Sequence, residues 1–180
     1  MNNHRYHFPM DTHATEPAAL PAAPAADGTP WLTAREQRLW RAHLEVSKLL
    51  EYQLSRELQQ HDLAINDYEI LVVLSESPDR RMRMTDLAAA TLQSKSRLSH
   101  QITRMESAGL VLRQECPGDR RGLFAHLTED GWQLLRKVAP DHVRSVRAHF
   151  IDRFDGDQLD AMYEALAPIA EHLRGLRGKP

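Results

Sequence analysis

The sequence predicts a mainly α-helical fold with one small β-hairpin, in which long helices stand at both ends of a compact basic module. Apolar residues recur at three- to four-residue spacing over several stretches, which is the helical period. Two short β-compatible runs, 110–116 and 123–128, flank the turn-forming segment CPGDRRG. Residues 80–121 carry nine Lys/Arg against four Asp/Glu, a local excess of +5, whereas the rest of the chain carries 14 against 21.

At 180 residues the chain suits one domain with a sizeable core, or a core plus an interaction arm, and one domain is expected. The overall charge of −2 points to no particular partner, so the distribution of charge matters more than its total. A lone cysteine, Cys116, rules out an internal disulfide framework and fits a reducing compartment. No apolar run reaches 18 residues and the N-terminus lacks the apolar core of a signal peptide. A cytoplasmic protein with no membrane association is expected.

Residues 1–30 hold five of the ten prolines and show no apolar period, and they read as a disordered or loosely ordered arm. A long helix follows over about 33–60, opened by the capping box Thr33–Glu36 and striped by Leu39, Trp40, Val46, Leu50, Leu54 and Leu58. A second helix is expected over 67–76, with Ile70, Leu71 and Leu74 inward. A third starts with Thr85 as N-cap and runs to Leu92. Ser94 caps a fourth, SKSRLSHQITRMESAG, closed by Gly109 at the left-handed position past its end. Leu98, Ile102 and Met105 face the core, and Lys95, Ser96, Arg97, Ser99, His100, Thr103 and Arg104 occupy the opposite face and the exposed first turn. CPGDRRG is then the loop of a hairpin. Thr128 caps a helix whose stripe of Trp132, Leu135, Val138, Val143, Val146 and Phe150 is interrupted by Pro140, where a kink is expected. Asp155 and Gln158 open a last helix with Leu159, Met162, Leu166, Ile169 and Leu173 on one face.

Two helices joined by a short turn form a helix-turn-helix, whose second helix can enter the major groove of DNA. With the hairpin after it, the order is that of a winged helix-turn-helix. The segments DRRGLFAHLTEDG and MESAGLVLR then resemble the MarR family of bacterial transcription regulators: Asp119, Arg121, Leu127, Thr128 and Gly131 match its wing pattern. The resemblance covers about 33–176 and leaves out the arm. It implies a MarR-like domain over 31–180, with a DNA-binding winged helix at about 62–128 and dimerisation helices at about 33–60 and 129–176.

The resemblance further implies a homodimer that binds double-stranded DNA at a near-palindromic operator, a repressor released by a small, often aromatic, ligand. In that reading Asp119 orients Arg121, which reaches into the minor groove, where negative potential favours Arg. Arg120 lies beside it. On the fourth helix, Lys95, Ser96, Arg97, Ser99, His100, Thr103 and Arg104 are the candidate DNA contacts, being of types that reach phosphates or base edges. Arg80, Arg81 and Arg83 read as a solvated loop or as backbone contacts. Trp40, Arg41, His43 and Tyr68 are of types that line a ligand pocket, or equally belong to core and surface. Cys116 reads as a strand end. No metal or cofactor is expected, since no His-x-x-x-His or Cys-x-x-Cys pair occurs, and no nucleophile motif or phosphate loop suggests an enzyme. The alternative is a winged-helix protein-interaction adaptor that does not bind DNA.

Overall fold

The computed structural model describes residues 28, 30–116 and 119–177, with the backbone alone for 119–121. The expected arm, apart from residues 28 and 30, lies outside the described residues. So do Pro117, Gly118 and the side chains of Asp119, Arg120 and Arg121. The chain divides into two units, one ending at Ser47 and one beginning at Lys48.

Helix α1 spans Ala34–Leu58. Its first turn is closed reciprocally, with Thr33 N–H donating to Glu36 Oε2 (2.7 Å) and Glu36 N–H to Thr33 Oγ1 (3.3 Å). Within the first unit Trp40 stacks on His43, with ring centroids 5.7 Å apart. Of the expected stripe, Leu58 is buried and Leu50 and Leu54 are partly so, while Leu39, Trp40 and Val46 are exposed.

The second unit continues with α2 (Ile65–Ser75), β1 (Arg81–Arg83), α3 (Met84–Ala90), α4 (Lys95–Ser107), β2 (Val111–Cys116), β3 (Asp119–Leu127), α5 (Glu129–His149) and α6 (Gly156–Arg177). One antiparallel sheet of order β1-β3-β2 covers one side of the helix-turn-helix. Ile70, Leu71 and Leu74 of α2, Leu87 of α3, Leu98, Ile102 and Met105 of α4, and Val111, Leu127 and Val138 are all essentially inaccessible and form a single core.

The sequence expectations are corrected at three places. The third helix begins at Met84, with Arg83 before it; Thr85 lies inside the first turn, its hydroxyl on Asp86 (3.2 Å), so it is not the cap. That helix also stops at Ala90, because Leu92 turns left-handed at φ 54°. Arg81–Arg83, read as a loop, pairs with β3 as a third strand, Met82 opposite Ala125. Finally, β3 begins at Asp119 and Cys116 pairs with it, across a register irregularity at Glu115/Cys116. Most of CPGDRRG is therefore strand, since turn-forming residues mark where a chain reverses but not where backbone pairing ends.

Two features hold the wing against α5. Thr128 Oγ1 accepts from Gly131 N–H (3.0 Å) and donates to Gly109 C=O (2.7 Å). Gly131 sits so close to β2 that a Cβ there would lie 2.2 Å from Leu110 O. Helix α5 continues through Pro140. Asp155 and Gln158 cap α6 reciprocally, at 2.8 and 3.0 Å. None of the residues of α6 is buried.

Candidate nucleic-acid interface

Helix α4 is fixed at both ends by its own sequence. Ser94 Oγ accepts from Arg97 N–H (3.2 Å) and caps the start. Gly109, at φ 73°, closes the far end, with Leu110 N–H returning to Met105 C=O (3.0 Å). Between these points Leu98, Gln101, Ile102 and Met105 are buried. Lys95, Ser96, Arg97, Ser99, His100, Thr103 and Arg104 are all exposed on the remaining surface. Lys95 and Arg97 form no ion pair among the described residues, so their charges face solvent.

The same surface carries three polar anchors that the sequence reading lacked. Asp67 of α2, only 8 % exposed, accepts from Gln101 Nε2 at 2.8 Å and from Arg104 Nη2 through both carboxylate oxygens at 2.7 and 2.9 Å. Arg104 thus has a protein partner while remaining at the edge of the exposed face. Arg113 of β2 reaches three successive levels of α4. Its Nη2 donates to Ser99 C=O (2.8 Å) and Thr103 Oγ1 (2.9 Å), and its Nη1 donates to Glu106 Oε2 (2.6 Å). Thr103 is therefore engaged twice, since its hydroxyl also donates to Ser99 C=O (3.0 Å).

A signal for each anchor was present in the pattern. Asp67 stands three and four residues before Ile70 and Leu71, on the inward face of α2, and Gln101 stands among the inward positions of α4. Arg113 shares a strand face with Val111. A charged or amide residue on a core-facing stripe calls for a partner.

The basic residues ahead of the module are also engaged. Arg80 lies 4.4 Å over the Trp132 ring and pairs with Glu129 at 3.2 Å. Arg81 and Arg83 lie 5.2 and 5.6 Å from the Phe124 ring centroid. Arg81 also pairs with Asp79 at 3.2 Å, and Arg83 lines a recess with Lys95, Ser99 and Leu123.

Beyond the module, a cleft of about 420 Å³ is lined by Glu57, His61, Asp141, His142, Ser145 and His149. Tyr68 packs on His142 with ring centroids 4.3 Å apart. Burial holds His142 below the ordinary histidine range, opposed by the nearby Glu57 charge. Glu57 Oε2 and His142 Nδ1 are both buried without a hydrogen-bond partner among the described residues. Cys116 is buried at the end of β2. No helix of the described residues is long and apolar enough to cross a membrane.

A capped, polar-faced second helix, a three-stranded wing sheet and long flanking helices define a winged helix-turn-helix protein. A sequence profile of the MarR family matches residues 61–122. AbsC, a MarR family transcriptional regulator from Streptomyces coelicolor, has a crystal structure 64 % identical in sequence, covering 82 % of this chain and 99 % of AbsC with a TM-score of 0.79. Sco3205, a MarR family regulator of the same organism solved in complex with DNA, is 44 % identical over 82 % of this chain and 92 % of its own, with a TM-score of 0.79. The HTH-type transcriptional repressor YetL of Bacillus subtilis is 22 % identical over 93 % of this chain and 95 % of its own. The chain belongs to the MarR family of transcriptional regulators.

Proposed function

We propose that this regulator is a homodimer that represses transcription by holding duplex DNA, and that a small ligand releases it. The observation that carries the reading is the exposed face of α4, where Lys95, Ser96, Arg97, Ser99 and His100 stand together over a buried Leu98, Ile102 and Met105 stripe. Unpaired cations favour DNA by displacing the counterions condensed on its phosphates. Hydroxyl and imidazole groups on the same face suit base edges in the major groove. Arg121, oriented by Asp119, with Arg120 beside it, adds a minor-groove contact from the wing. Sco3205, solved with DNA, supports the same use of this fold, and the repressor YetL supports the sign of regulation.

The dimer reading rests on α6. Tyr163, Leu166, Ile169, Leu173 and Leu176 lie at three- to four-residue spacing, each at least 42 % exposed, with no buried residue anywhere in the helix. A contiguous apolar face of this kind calls for a partner. A two-fold dimer would put its recognition helices one DNA turn apart, about 34–36 Å, on a near-palindromic site. The cleft beside His142 has the size of a small-molecule site, and an effector bound there would act only by favouring one spacing of the recognition helices over another. An aromatic ligand suits the neighbouring Tyr68 ring.

A salt titration of duplex binding tests the proposal. Four cations per subunit, Lys95, Arg97, Arg120 and Arg121, predict a slope of log affinity against log salt of about −7 for a dimer. A folded protein that binds no duplex at low salt would overturn it.

A further inference from the structure

The turn joining α3 to α4 departs from two local preferences at adjacent residues. Leu92 N–H returns to Ala89 C=O (3.3 Å) and Gln93 N–H to Ala88 C=O (2.9 Å), the double closure that ends many helices. In that closure the first residue past the cap favours Gly, and the next favours an apolar side chain packed on the last turn. Here the first is Leu92, left-handed at φ 54° and 65 % exposed. The second is Gln93, whose Nε2 and Oε1 are both buried and both without a hydrogen-bond partner among the described residues. Burying an amide with neither its donor nor its acceptor satisfied is destabilising. An apolar residue in the same slot would carry no such cost, so the free protein gains nothing from the amide. Departures of this kind cluster at sites of function.

The location of Gln93 suggests what the amide serves. It immediately precedes Ser94, the cap of α4, and the exposed Lys95 and Ser96 of the first turn. That turn is the part of a recognition helix that meets base edges. We propose that Gln93 is a specificity-determining residue stored in the free protein: on DNA its amide leaves the slot and pairs with one adenine of the operator, Nε2 donating to N7 and Oε1 accepting from the N6 amine. The proposal rests on the reading of the chain as a DNA-binding regulator. The two orphaned atoms select the partner. Phosphate oxygens only accept and would leave Oε1 unpaired, whereas the major-groove edge of adenine offers an acceptor and a donor side by side.

The test uses the full chain and a duplex selected by it from a random pool. Gln93→Leu and Gln93→Met replace the amide with an apolar group, and thermal unfolding without DNA reads the stored cost. Both variants are expected to melt above the wild type, while operator affinity falls by about tenfold or more and affinity for unrelated duplex is unchanged. In parallel, single 7-deazaadenine substitutions remove N7 from one operator adenine at a time. One position is expected to weaken wild-type binding and to leave both variants unaffected. Variants that bind and discriminate like the wild type overturn the proposal, as does an operator in which no adenine N7 matters to the wild type. An affinity loss equal for all duplexes overturns the adenine contact in favour of a backbone one. A wild type that selects no duplex overturns the DNA-binding reading instead, so the two failures are distinguishable.

Discussion

Asp67 and Arg104 join α2 to the recognition helix through a two-oxygen contact at 2.7 and 2.9 Å, with Gln101 completing the carboxylate's partners. The carboxylate is 12 % exposed and the arginine side chain 64 %, so the pair is buried at one end and solvated at the other. A double-mutant cycle of Asp67→Asn with Arg104→Gln should give a coupling of about 1 kcal/mol by urea unfolding, nearer to a surface pair than to a buried one. Coupling indistinguishable from zero would mean that Arg104 is free in solution and available to DNA.

Arg113 tests whether the wing and the recognition helix move as one body. Its guanidinium spans Ser99, Thr103 and Glu106, a reach that a single ammonium lacks. Arg113→Lys should therefore behave like Arg113→Met, with stability lower by about 1–3 kcal/mol and faster amide exchange along α4. If the lysine variant retains wild-type stability and exchange, charge alone is what β2 contributes.

Gly131 belongs to the wing signature, and its role here is steric. A methyl group would meet Leu110 O at 2.2 Å and Leu127 Cδ1 at 2.8 Å. The first of these is backbone and cannot swing aside. Gly131→Ala should cost about 3 kcal/mol, read as a fall in melting temperature. A variant that melts with the wild type would show that α5 lifts from the sheet freely.

The elements that repeat a period were legible in the sequence. Leu98, Ile102 and Met105 stand where their spacing puts them, as do the caps Thr33, Ser94, Thr128 and Asp155. What escaped was long-range. β1 is three residues long and exists only because Phe124 and His126 lie opposite it. Asp67 reaches α4 across 34 to 37 residues of chain, and Arg113 reaches back to it across 7 to 14. Spacing also reveals which face of a helix is apolar without revealing what covers it, and α6 carries its stripe with no residue buried.

His142 makes stability depend on pH in a defined direction. Burial, with Tyr68 of α2 packed on the ring, lowers its folded pKa below the ordinary value of 6.5, with Glu57 acting the other way. The unfolded chain therefore binds a proton more readily than the folded one. The contribution of the neutral ring is complete above about pH 6.5 and is lost as pH falls from there toward the folded pKa. Melting temperature should drop between pH 7.5 and 5.5, and His142→Phe, which keeps a ring on Tyr68, should reduce that drop. An equal drop in the variant would mean that His142 is not the source of the pH dependence.

Ile169 addresses the assembly. It lies near the middle of the exposed apolar row of α6, at 55 % exposure. Within one chain Ile169→Lys replaces an exposed apolar side chain by a charged one, which changes monomer stability by no more than about 0.5 kcal/mol. At a dimer seam the same change buries an unpaired ammonium and should shift sedimentation toward the monomer at micromolar concentration. A monomer carries half the cations on DNA, so the salt slope should also fall to about half the wild-type value. A variant that sediments as the wild type does would place the contact between copies elsewhere, whereas a monomer that keeps the full slope would mean that one subunit alone makes all the phosphate contacts.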